Sequence, residues 1–111
     1  MSNLKTILKE KINDWRPRTK ALLEEHGKVV IDKVTVSQII GGMRGIKCLV
    51  TDISYLDPNE GIRYRGYTLP EVFELLPKPK NAEMPYVAGL LHLLLTGDIP
   101  SEAQALDIGI S

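Results

Sequence analysis

Leu4, Ile7, Leu8, Ile12 and Trp15 recur at spacings of three and four, which lays one apolar stripe along a helix. Ser2 or Asn3 can cap its start. Pro17 calls for a kink or a restart, because proline removes an amide and its ring clashes with the preceding turn. Leu22 and Leu23 then carry the pattern to His26 and Gly27, a natural terminator.

The next run, VVIDKVTVSQII, is rich in β-branched side chains, so it favours extended backbone through Val36, with a short helical turn from Ser37 to Ile40. Five residues follow that read GGMRG, from Gly41 to Gly45. Beyond them CLVTDISYL and IRYRGY flank DPNEG, in which Pro58, Asn59 and Gly61 each favour a bend. The pattern predicts one small β-hairpin as the only sheet.

From Leu69 the period is helical again. Pro70 suits the first turn of LPEVFELL, which ends before PKPK. A second helix opens at Pro85 and runs through YVAGLLHLLLTG. Its leucines at 90, 91, 93, 94 and 95 cover most of its circumference, which predicts burial on most sides. DIPSEAQAL then starts a last helix, with Ser101 as N-cap and Gln104 at the capping-box position. The final LDIGIS has no C-cap, and the expectation is a truncated chain.

Composition narrows the picture modestly. With 111 residues the chain is one domain or part of one. Its 14 basic residues balance 14 acidic ones, so bulk charge argues for neither nucleic acid nor an anionic membrane as partner. Charge is mildly polarised, with seven Lys/Arg against four Asp/Glu over residues 1–28. The single cysteine, Cys48, excludes an internal disulfide and a multi-cysteine zinc site, and reads as a small core residue. The N-terminus lacks the apolar run of a signal peptide and carries acids unlike a transit peptide. Val87–Leu95 falls far short of the ~20 apolar residues of a membrane span.

Candidate chemistry concentrates at GGMRG. Glycine permits positive φ and close backbone approach, so amides and the Arg44 guanidinium can face one oxygen-rich group. Arg44 is either an anion ligand or a charge that pins the loop to a carboxylate. Arg63 and Arg65 share a strand face by alternation, as an anion site or as ion-paired side chains. Asp57 and Glu60 fit a solvated turn better than paired-carboxylate catalysis. His26 sits at a helix end and His92 on the apolar helix; neither has a base or orienter nearby in sequence.

GGMRGIKCLVTDISYLDPNEGIRYRGYTLPEVFELLP followed by GLLHLLLTGDIPSEAQ resembles the N-terminal region of citrate synthase, in the form typified by the mitochondrial enzyme. Further points of likeness are the HG at His26 and LLLTGDIP from Leu93, and the resemblance covers about Leu4 to Gln104. It implies a mainly α fold: a multihelical segment of the citrate-synthase large domain with one small β-hairpin, residues 1–111 forming its N-terminal part. It implies a homodimeric acyltransferase that condenses acetyl-CoA with oxaloacetate to citrate and CoA in the tricarboxylic acid cycle. No metal or prosthetic group is implied; coenzyme A enters as substrate and leaves as product.

By the same resemblance two histidines and an aspartate do the chemistry, all in regions beyond this chain, so the isolated chain is expected to be inactive. Arg44 is expected to bind coenzyme A phosphates. A bacterial cytoplasmic location is expected, with the mitochondrial matrix as the alternative. Two other readings stand beside this one: a non-catalytic helical module that self-associates, and a fragment of a 2-methylcitrate synthase.

Overall fold

The computed structural model describes residues 3–109. Five helices and three short strands follow one another: α1 (Leu4–His26), α2 (Val36–Ile40), β1 (Ser54–Asp57), β2 (Gly61–Tyr64), β3 (Tyr67–Thr68), α3 (Leu69–Leu75), α4 (Val87–Thr96) and α5 (Glu102–Asp107). The fold is mainly α, as the resemblance implies. The residues divide into two units. One comprises the chain up to Asp14 together with everything from Thr51 onward; the other is Trp15–Val50.

In the first unit the core is small and centred on α3 and α4. Val72, Leu76 and Leu93 are buried together, with Tyr64, Tyr67, Leu90 and Ile99 packed against them. Thr68 caps α3 by accepting from the Glu71 amide, and Pro70 lies in the first turn, where its missing amide costs nothing. Ser101 and Gln104 form the expected capping box: Ser101 Oγ accepts from the Gln104 amide and Gln104 Oε1 from the Ser101 amide. Ala105, fully buried, faces inward from α5.

The predicted hairpin is present, with Leu56 opposite Ile62 and Tyr55 opposite Arg63, but it is not the whole sheet. A third strand pairs back on it, Tyr64 opposite Tyr67 and Arg63 opposite Thr68, giving the order β1-β2-β3. The two residues between β2 and β3 are Arg65 and Gly66, with φ of 51° and 87°. Positive φ at both central positions is what a two-residue type I′ hairpin turn requires. An arginine at the first of them hides the turn from a reading based on Asn-Gly or Asp-Gly pairs.

That turn also separates Arg63 from Arg65, which do not form a shared anion site. Arg63 pairs with Glu60, Nε to Oε2 at 2.9 Å, and donates to the Gly66 carbonyl at 2.7 Å. Arg65 instead reaches the last carbonyls of α4, Leu94 and Leu95, and the Asp52 carboxylate.

The apolar helix α4 is less enclosed than its composition predicts. Of its five leucines only Leu93 is buried; Leu95 is exposed and Leu90, Leu91 and Leu94 are half-buried. The buried stripe runs instead through Ala88, Gly89, His92, Leu93 and Thr96, the smaller and more polar face, because Pro77 and Leu76 pack closely over Gly89.

The second unit has no buried residue. α1 runs unbroken through Pro17, so proline costs the helix one amide without ending it. The β-branched run forms no strand: Lys28 lies in a turn, residues 29–35 belong to no helix or strand, and Val36 already opens α2. Cys48 is exposed rather than a core residue, since nothing in Trp15–Val50 packs densely enough to enclose it.

Candidate functional site

The GGMRG loop is built on the C-terminal end of α2. Thr35 caps that helix by accepting from the Gln38 amide at 3.3 Å, while Gln38 Oε1 accepts from the Thr35 amide at 2.9 Å. At the other end the Gly42 amide donates to the Ile39 carbonyl at 3.1 Å and the Met43 amide to the Gln38 carbonyl at 2.8 Å. With Gly42 at φ 77°, these two bonds make a Schellman motif, the commonest way a helix satisfies its last carbonyls.

The chain then turns again at once. The Ile46 amide donates to the Met43 carbonyl at 3.2 Å, which closes a four-residue turn over Met43–Ile46. Gly45, its third residue, has φ 74°, a conformation that glycine adopts without strain. Arg44 therefore stands at the apex of a turn set directly on a helix terminus. Met43, with φ 62°, adopts the left-handed region without glycine's freedom, at a cost of about 1–2 kcal/mol.

Arg44 is exposed, and among the described residues no carboxylate or hydrogen-bond acceptor engages its guanidinium. An always-charged, planar donor set held out on a defined turn can receive a phosphate through two parallel N–H···O bonds.

The other candidates are placed elsewhere. His26 ends α1, exposed, with Nε2 3.8 Å from Glu25. His92 is sealed inside the first unit: Nδ1 lies 3.4 Å from the Asp98 carbonyl and 3.2 Å from Thr96 Oγ1, and Nε2 is buried without a partner. Donation from Nδ1 to Asp98 leaves Nε2 as a bare lone pair, a cheaper orphan than an N–H. No substrate can reach it. Asp57 accepts from the Asn59 and Glu60 amides, both at 2.8 Å, and is a turn residue.

The backbone amides of Glu60 and Asn59 hold the Asp57 carboxyl below the usual carboxylate range, and the Arg63 guanidinium does the same for Glu60. Among the described residues no three His, Cys, Asp or Glu side chains gather as metal ligands, and no helix is long and apolar enough to cross a membrane.

Sequence reasoning passed over Gln38. Its signal was present, since TVSQ at 35–38 carries the same capping-box spacing as SEAQ at 101–104. The β-branched residues around it favour strand and mask the helix start.

Residues 42–108 match the family described as citrate synthase, C-terminal domain. The chain belongs to the citrate synthase family. It is 52% identical over 105 residues to the mitochondrial citrate synthase of Neurospora crassa, covering 91% of this chain and 22% of that protein. A probable mitochondrial citrate synthase of Caenorhabditis elegans is 48% identical over 107 residues, covering 96% of this chain and 23% of the relative. The mitochondrial citrate synthase of Aspergillus niger is 49% identical over 106 residues, 96% of this chain and 22% of its own length. The chain thus spans less than a quarter of the length of the relatives it matches.

Proposed function

We propose that this chain is the segment of a citrate synthase large domain that supplies one coenzyme A phosphate contact, Arg44, to the condensation of acetyl-CoA with oxaloacetate. Water then releases citrate and coenzyme A. Placement in the N-terminal part of that domain rests on the resemblance described above, as does assembly of the whole enzyme as a homodimer.

The observation that carries the reading is the state of Arg44. A charge that merely pinned the loop would have a carboxylate partner, and among the described residues it has none. The loop's shape is already fixed by main-chain bonds, so the guanidinium is available to a ligand.

Neither histidine of this segment is placed for proton transfer: His92 is enclosed, and His26, exposed at the end of α1, faces Glu25 at 3.8 Å. The proton abstraction from the acetyl methyl and the polarisation of the oxaloacetate carbonyl belong to the remainder of the enzyme. Names of the similar proteins favour the mitochondrial matrix over a bacterial cytoplasm as the place of work.

The test exchanges this segment for the corresponding one in the Neurospora crassa enzyme and compares Arg44 with Arg44→Ala. Loss of a charge-assisted phosphate contact raises the acetyl-CoA Michaelis constant roughly tenfold, with little change for oxaloacetate. Equal effects on both substrates would remove Arg44 from the coenzyme A site. The unjoined chain is expected to release no thiol from acetyl-CoA plus oxaloacetate.

A further inference from the structure

Gln38 is the one residue between Thr35 and Gly45 that is not exposed. It meets the helix start at one place and the loop at two. Its Oε1 accepts from the Thr35 amide at 2.9 Å, its main-chain carbonyl accepts from the Met43 amide at 2.8 Å, and a Cβ placed on Gly45 would stand 3.8 Å from its Nε2. α2 has only five residues, too few to persist on helix propensity alone, so its ends decide whether it forms.

We propose that Gln38 is the positioning residue for Arg44, its side chain holding α2 closed and its carbonyl holding Met43 in the left-handed conformation that aims the next residue outward. The proposal rests on the assignment of Arg44 to a coenzyme A phosphate.

Met43 is the strained element of the loop. A non-glycine residue at φ 62° stays there only while its surroundings over-determine it, and the surroundings here are the Gln38 carbonyl on one side and the Ile46 amide on the other. Rotation of Met43 back to negative φ swings the following peptide plane and redirects Arg44 as a whole. The chain therefore stores in Met43 the strain that fixes where the guanidinium points, and the capping box six to nine residues upstream of Arg44 sustains it. Removing the Gln38 side chain leaves its carbonyl in place chemically but releases the helix that positions it.

The experiment uses the whole 111-residue chain, labelled with nitrogen-15. The three-bond HN–Hα coupling of Met43 and the backbone order of residues 41–45 report the loop itself. In Gln38→Ala the Met43 coupling is expected to leave its left-handed value and the order at Arg44 to fall, while the amide resonances of β1–β3 stay in place. Gln38→Glu keeps the acceptor for the Thr35 amide and restores both. Titration with coenzyme A reads the consequence: binding weakens roughly fivefold in Gln38→Ala, the equivalent of losing one helix cap, and recovers in Gln38→Glu.

Unchanged coupling and order in Gln38→Ala overturn the proposal whatever the ligand does. Arg44→Ala separates the two ideas. If it leaves coenzyme A binding untouched, or if the parent chain shows no saturable binding, the phosphate assignment fails while the coupling still decides the role of Gln38. If Arg44→Ala abolishes binding and Gln38→Ala does not weaken it, the assignment stands and the positioning role falls.

Discussion

Arg65 closes the C-terminal end of α4 by donating two hydrogen bonds to the carbonyl of Leu94, from Nε at 3.0 Å and from Nη2 at 2.8 Å. Its side chain is only 7% exposed, and its backbone has φ 51°. The position demands two incompatible things: a residue that tolerates the left-handed region, and a planar fork long enough to reach a helix terminus. Arginine meets the second and accepts the cost of the first. Arg65→Ala is expected to destabilise the fold by about 2–3 kcal/mol in urea unfolding, because carbonyls of α4 lose a charged donor. Arg65→Lys recovers less than half of this, since an ammonium cannot present the same fork.

Gly89 offers the opposite case. It lies inside α4, and an added Cβ would meet Pro77 Cδ at 3.6 Å and Leu76 Cδ2 at 3.8 Å, ordinary packing distances. Gly89→Ala should therefore stabilise the chain by roughly 0.5–1 kcal/mol through the lower backbone entropy of the unfolded state. A fall in the thermal midpoint would show that the space above α4 is tighter than these distances allow.

Acid should loosen the hairpin turn. Asp57 and Glu60 both titrate below their ordinary values of 3.8 and 4.5 in the folded chain, so the unfolded chain takes up protons first as pH falls. The stability these carboxylates contribute is complete above the ordinary values and is lost as pH drops through the folded ones. Amide exchange at Ile62 and Tyr64 is expected to rise relative to the core amides across that window. Asp57→Asn keeps an oxygen acceptor for the Asn59 and Glu60 amides, and should remove the Asp57 share of the pH dependence while preserving the turn.

The second unit predicts behaviour in solution. Val30, Ile31, Ile40 and Leu49 are each more than three-quarters exposed, and no residue of Trp15–Val50 is buried. Apolar surface of that kind seeks cover. The purified chain is expected to bind a hydrophobic dye and to elute above its monomer mass, and Ile40→Asp with Val30→Asp should lower both readings. A dye-silent monomer would contradict the exposed surface.

Legibility in the sequence followed the kind of force at work. Ser101 and Gln104 were readable because a capping box is local chemistry with a fixed spacing, and α1 and α3 because a stripe of leucine and isoleucine has one period. Thr35 and Gln38 carry the same box but lie in a β-branched run, so propensity concealed the cap. The third strand depends on Arg65 and Gly66 turning where Asn-Gly would be expected, and the arginine is held there by carbonyls nearly thirty residues later in the chain. No local pattern contains that contact. Burial on α4 went to Gly89 and His92 rather than to most of its leucines because closeness of approach, not hydrophobicity alone, sets which face turns inward. Arg44 was legible as a residue type; the Schellman end and the turn that present it were not.

Lys11 and Asp98 form an ion pair at 3.0 Å across 87 residues of chain. At ribosomal speeds of about 5–20 residues per second, Lys11 emerges roughly 4 to 17 seconds before its counter-charge has been made. During synthesis the opening helix must stand without the partner that later fastens it, and its 23 residues give it the length to do so. An early helix of this segment is thus secured late, and closure of that long loop is a step that follows, rather than begins, the assembly of the α3–α4 core.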